Sequence, residues 1–156
     1  MTCKCEEKVL TMKVVKLDNC LGLPEYKTVG SAGMDLYASI DEDIVLGSLE
    51  RVMIPTGIKI ELPHGTVAMI TPRSGKAIKE GISVINTPGI IDEDFRGEVQ
   101  VLAVNLSRGN QVIKRGERIA QMVITNYEQP VLNIVTEDEL SVTERGENGF
   151  GSTNKF

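Results

Sequence analysis

Between Ile90 and Glu98 the chain sets three carboxylates, Asp92, Glu93 and Asp94, beside Phe95 and Arg96. An ionised acid only accepts hydrogen bonds, so one held in a loop can orient a water molecule and take its proton. Taken alone, the run is a polar hairpin loop. Asn86-Thr87-Pro88-Gly89 stands just before it. Two close turns there aim backbone N–H and C=O groups, with the Asn86 amide, into one pocket. Upstream, Pro72-Arg73-Ser74-Gly75 ends an apolar run and opens a short helix. Backbone N–H groups at a helix start, with a hydroxyl and a guanidinium beside them, suit a phosphate; the plain alternative is a serine N-cap.

Other residues point away from chemistry. Cys3, Cys5 and Cys20 are an odd number near one end, without the partners a zinc site needs, and read as reduced thiols near a loose terminus. His64 is the only histidine and sits in the turn signal Leu62-Pro63-His64-Gly65, so zinc hydrolases and Ser-His-Asp triads are set aside. Gly146 and Gly151 have the separation of a P-loop, but Ser152 stands where its lysine belongs.

The elements that must position these groups are strands. Val52, Ile54, Ile58, Ile60 and Leu62 alternate with Met53, Pro55, Gly57, Lys59 and Glu61, which is the period of a strand with one face inward. Thr66–Thr71, Val99–Leu106 and Ile119–Thr125 are rich in Val and Ile. The last two are apolar on both faces, as strands covered on both sides would be. Shorter candidates are Met12–Leu17, Asp43–Val45 and Val131–Val135. With frequent Gly, Pro, Asn and Asp between them, these runs predict an all-β sandwich or barrel. One short helix is expected from Ser74 to Lys79, stopped by Gly81. From Arg145 the chain turns polar and glycine-rich, with Phe150 between two glycines; it reads as a flexible arm, residues 145–156, after a β domain of residues 1–144.

Composition bounds the rest. A chain of 156 residues with 41% apolar residues buries one core. The net charge of −5, with signs mixed along the chain, speaks against a nucleic-acid backbone binder, and no apolar run is long enough to span a bilayer. The expectation is a cytoplasmic protein without nucleic-acid or membrane partners.

In order along the chain, five segments resemble the motifs of the trimeric dUTP pyrophosphatases: Ala32-Gly33-Met34-Asp35-Leu36-Tyr37-Ala38, Pro72-Arg73-Ser74-Gly75, Gly89 to Glu98, Gly116-Glu117-Arg118-Ile119-Ala120-Gln121, and Arg145-Gly146 with Gly149-Phe150-Gly151-Ser152-Thr153. The resemblance spans roughly Lys13 to Thr153. It implies a jelly-roll-like fold and a homotrimer whose three sites are each shared by three chains: the base hairpin from one, the phosphate motifs from another, the arm from the third. It implies hydrolysis of dUTP to dUMP and pyrophosphate by water attack at the α-phosphorus, which supplies dUMP for thymidylate synthesis and keeps uracil out of DNA.

By the same resemblance Asp92 is the general base, and Asp35 organises the metal-water and arginine surroundings. Arg73, Ser74, Gly75 and Gln121 hold the α- and β-phosphates; Arg145, Gly151, Ser152 and Thr153 close over the γ end. Asn86, Gly89, Ile91 and Gln100 frame the uracil edge, and Phe150 stacks on the ring. Magnesium is implied as cofactor, held by phosphates and water with no direct protein ligand. The chain departs from the family pattern at Phe95, where tyrosine is usual against the deoxyribose, at Asn148 and Asn154, where glycine is usual, and at Lys76, where apolar residues are common. Two rival readings use the same scaffold: a dCTP deaminase, whose family lacks this arm, and a regulatory binding protein with nucleotide as its switch.

Overall fold

The computed structural model describes residues 10–149. Cys3 and Cys5, and the arm residues Phe150, Gly151, Ser152 and Thr153, lie outside the described residues. In chain order the elements are β1 (Lys13–Lys16), β2 (Gly33–Tyr37), β3 (Ile44–Leu46), β4 (Arg51–Glu61), β5 (Thr66–Pro72), α1 (Ser74–Glu80), β6 (Ile82–Val84), β7 (Gly89–Ile91), β8 (Glu98–Asn105), β9 (Gln111–Ile113) and β10 (Arg118–Asn126), with a single 3₁₀ turn at Glu137–Glu139.

All pairings are antiparallel. One sheet runs β1-β4-β8-β6 and the other β2-β10-β5-β7, with β3-β9 as a separate ribbon. Ile54, Ile58, Val99 and Val101 from the first sheet belong to one buried core with Leu36, Ile70 and Met122 from the second. Each such side chain contributes about 1.5–3 kcal/mol when fully buried. This is the expected all-β jelly-roll sandwich.

Local sequence explains the details. The alternation read in β4 holds, with Ile54, Ile58 and Ile60 buried. A register irregularity between Pro55 and Lys59 interrupts it. Gly57 sits there at φ 71°, and a Cβ on it would stand 2.4 Å from Cys20 Cα, so the Leu17–Cys20 turn needs glycine beneath it. Cys20 is therefore a buried core residue with a free thiol, and not part of a loose end. Gly81 ends α1 in the left-handed region at φ 69°, its N–H bonded to Ala77 O, as its place in the sequence predicts. The N-cap is Arg73, without a side-chain capping bond, so Ser74 is the first helical residue and not the cap.

Two expectations need correction. Val131–Val135 forms no strand: among the described residues nothing ladders with it, and Ile134 is 96% exposed. Nor is β8 covered on both faces within one chain: Leu102 remains exposed and, with Met53 of β4, lines a recess described below.

Candidate active site

The first group of polar residues surrounds Asp35. Gln121 and Asp35 are cross-strand neighbours on β10 and β2, and Gln121 also faces Thr71 of β5. The Asp35 carboxylate, with a side chain only 12% exposed, receives Arg73 Nε at Oδ1 (2.9 Å) and Arg118 Nη1 at Oδ2 (2.8 Å). Arg73 Nη1 also donates to Arg118 O at 3.2 Å, and Gln121 Nε2 donates to Pro72 O at 3.2 Å. One carboxylate thus aligns two guanidiniums whose donors are too many for it to satisfy alone. Their combined charge is positive, and Ser74 and Gly75 at the start of α1 border the same cavity of about 480 Å³. Gly33 makes room in it: a Cβ there would lie 2.6 Å from Gln121 Oε1. The arrangement can hold a polyanion.

Arg118 was not picked out individually from the sequence, and the reason is geometric. Along a regular strand, residues 118 and 121 face opposite sides. The register shifts between Arg118 and Ala120, so that Arg118 pairs with Tyr37 while Ala120 pairs with Leu36. Ile119 is the extra residue; it and Ala120 are both buried, and Arg118 turns to the side of Asp35. Lys27 and Ser31, from the loop before β2, also border this cavity. Nothing in their spacing announces it. Lys76 points the other way. Its side chain is 7% exposed and binds Glu80 (2.6 Å) and Glu117 (2.7 Å), tying α1 to the turn before Arg118. Burial alone would lower its pKa, and its hydrogen bonds to the Glu117 and Glu80 carboxylates outweigh that and hold it above the ordinary lysine value.

A second, smaller recess of about 200 Å³ lies between β7 and β8. Asn86, Gly89, Ile91, Phe95 and Gln100 all line it, with Met53 and Leu102 as apolar walls. Gly89 leaves the space that Asn86 uses: a Cβ there would sit 3.2 Å from the Asn86 Nδ2. Gly97 does the same for Phe95, whose Cζ would be 2.5 Å from an added Cβ. The Phe95 ring is 40% exposed at the rim. Apolar walls with an amide at one end suit a flat heterocycle.

Asp92 lines neither of these. It borders a third cavity, about 630 Å³, with Ile90, Glu93, Asp94 and Tyr127. Arg145 is exposed in a turn, its Nε bonded to Asn148 O at 2.7 Å, and lines none of the three recesses. The residues anticipated for phosphate and for base are therefore gathered into two clusters; Asp92 lines neither, though it follows Ile91 of the second, and Arg145 lines neither. Among the described residues no group of three His, Cys, Asp or Glu side chains could hold a metal ion, and no helix is long and apolar enough to cross a membrane.

Comparison with known proteins identifies the family. The dUTPase family pattern matches residues 21–154. The deoxyuridine 5'-triphosphate nucleotidohydrolase of Fusobacterium nucleatum subsp. nucleatum is 49% identical over 148 residues, covering 95% of this chain and 99% of that one. The Treponema denticola protein of the same name is 53% identical over 131 residues, 84% of this chain and 90% of its own. Among solved structures, a mutant dUTPase of Staphylococcus bacteriophage 80alpha with dUpNHpp superposes with a TM-score of 0.81 at 32% identity, covering 91% of this chain and 97% of that one. A mutant dUTPase from phage phi11 of S. aureus, described with a structural Mg(II) ion, gives 0.74 at 27% identity over 83% and 99%. With a family match across most of its length and relatives near half identity, the chain belongs to the dUTPase family.

Proposed function

We propose that the chain hydrolyses dUTP to dUMP and pyrophosphate in the cytoplasm, as a homotrimer, with Asp92 as the base that delivers water to the α-phosphorus. The observation that carries the reading is the pair of recesses: an arginine-bearing cradle at Asp35 and a narrow, amide-ended slot behind Phe95. A nucleoside triphosphate has one end for each.

The cradle takes the phosphates. Arg73 and Arg118 need no rearrangement to receive charge that builds on phosphate oxygens, since Asp35 already fixes their direction. Ser74, Gly75 and Gln121 add donors around them. The slot reads the base: Asn86 with backbone groups near Ile91 and Gln100 pairs with uracil, and cytosine would leave buried polar groups unmatched. Phe95 walls off a 2′-hydroxyl. Asp92 accepts the proton of the attacking water, and its contribution is position as much as basicity. Magnesium arrives with the substrate. Asp35 is committed to two arginines, and the ion would be carried by the triphosphate and water, where it would neutralise phosphate charge.

The separation of Asp92 from the cradle supports sites shared between chains, with one chain's hairpin meeting another's phosphate residues. The arm, residues 145–156, then closes over a neighbour's site through Arg145, Gly151, Ser152 and Thr153, with Phe150 on the base. Closing it excludes water and completes the constellation.

The test is to incubate the protein with magnesium and each deoxy- and ribonucleoside triphosphate in turn and measure pyrophosphate. Fast release from dUTP, with dTTP, dCTP and UTP far slower, is expected. Orthophosphate as first product would overturn attack at the α-phosphorus, and equal rates on dUTP and UTP would overturn the Phe95 wall.

A further inference from the structure

Glu93 lies directly after Asp92 and has a different environment. Gly65 N–H donates to its Oε2 at 2.7 Å, the Tyr127 hydroxyl donates to the same oxygen at 3.0 Å, and His64 Nδ1 lies 2.7 Å from Oε1. Its side chain is 26% exposed. His64 first, then the Gly65 amide and Tyr127, hold the Glu93 carboxyl down to about 2, well below the usual range. The donors come from two fixed places, the β4–β5 turn and the end of β10. These are joined to each other as well, because Tyr127 N–H donates to Gly65 O at 3.3 Å. Gly65 reaches this arrangement at φ 77°, in the region that favours glycine.

Asp92 has no comparable anchor. Among the described residues no side chain holds its carboxylate; its carbonyl accepts the Phe95 N–H at 3.1 Å, which closes the turn around Glu93. The direction of the Asp92 side chain is therefore set by whatever fixes that turn. Loops between strands move more than the strands they join. Here one carboxylate fastens the loop to two laddered elements through hydrogen bonds strengthened by its charge.

We infer that Glu93 is the positioning residue of this site: its clasp on Gly65 and Tyr127 fixes the loop that presents Asp92 to the attacking water. The inference rests on Asp92 being the base. Glu93 itself touches no substrate in this account, since it lines neither the arginine cradle nor the slot behind Phe95. Removing the clasp must then show in turnover and leave binding alone. A misplacement of about 1 Å at a reacting group is enough to cost roughly 10²-fold in rate.

The experiment compares kcat, KM for dUTP and thermal midpoint in full-length Glu93→Ala, Glu93→Gln, Tyr127→Phe and Asp92→Asn. Glu93→Ala should lower kcat by about 10–100-fold with KM near the wild-type value. Glu93→Gln should recover most of that loss, because its amide oxygen still accepts from Gly65 and Tyr127; Tyr127→Phe should show a smaller loss in kcat alone. Glu93→Ala with normal kcat, beside an inactive Asp92→Asn, overturns the positioning role and leaves the base intact. A folded Glu93→Gln as slow as Glu93→Ala, or a rise in KM matching the fall in kcat, overturns it too. Normal turnover in Asp92→Asn overturns the base assignment and the positioning role with it. If Glu93→Ala fails to fold, Tyr127→Phe decides: normal kcat there refutes the clasp.

Discussion

The phosphate cradle and the Asp92 loop are built on opposite plans. The cradle is made inside sheet structure: Asp35 and Gln121 face each other across a ladder, and a bulge brings Arg118 to the same side. Asp92 stands on a loop, exposed, beside a carboxylate that is itself tied down. On the proposed reading, the groups that meet the phosphates are held by the ladder, and the carboxylate that meets the attacking water is held by one clasp at Glu93. The same contrast predicts which substitutions will damage chemistry and which will damage binding or stability.

The largest effect belongs to the loop. Asp92→Asn should lower kcat by about 10²–10⁴-fold while nucleotide binding and thermal midpoint stay close to wild type, as steady-state kinetics, equilibrium binding and a melting curve would show. A parallel loss of stability would blur the contrast.

Asp35→Asn should behave in the other way, losing stability and binding together. It leaves Arg73 and Arg118 facing each other without the charge between them. Removing one partner of a fully buried pair costs about 3–5 kcal/mol, and with both arginines partly solvated the loss here is about 1–3 kcal/mol. Denaturant unfolding measures it, and a full-strength melting transition would contradict the carboxylate's organising place.

Gly33→Ala sharpens the comparison. The added Cβ meets the far end of Gln121, which can swing away, so the fold survives and the amide is displaced. A rise in KM of a few-fold, on the order of one lost hydrogen bond, is expected with kcat little changed.

The smallest effect concerns pH. Glu93 has its carboxyl lowered from 4.5 to about 2 in the fold. Ionised Glu93 therefore contributes stability that is fully present above about pH 4.5 and fades as pH falls toward 2. The thermal midpoints of wild type and Glu93→Gln should differ most near neutrality and converge on acidification. A gap that widens with acid would mean the sign is wrong.

Much of this was readable from the chain. The β4 alternation, the Val/Ile runs of β5, β8 and β10, and the helix expected over Ser74–Lys79 with Gly81 as its stop follow from periodicity and capping alone. Asn86, Gly89 and Gln100, expected at the base, and Phe95, expected at the sugar, follow from the family resemblance around the third motif, and the fold puts them in one recess. Short strands such as β6 and β9, three residues each, carry too few side chains to show a period. Arg118 was hidden by a bulge, since a one-residue insertion reverses the face on which every parity argument depends. Glu93 was hidden because its partners, Gly65 and Tyr127, are far away in sequence and ordinary in type. Val131–Val135 shows the opposite failure: its residues favour a strand, and a strand cannot form without a neighbour to pair with.

The central claim is that Asp92 and the arginine cradle of one chain serve different sites. The direct measurement mixes full-length Asp92→Asn chains with Arg73→Ala chains, each inactive alone, after unfolding and joint refolding, with light scattering to establish the assembly. Mixed trimers should regain dUTP hydrolysis, because some sites then receive an intact hairpin from one chain and an intact cradle from another. Mixed trimers that form and stay inactive would contradict the account.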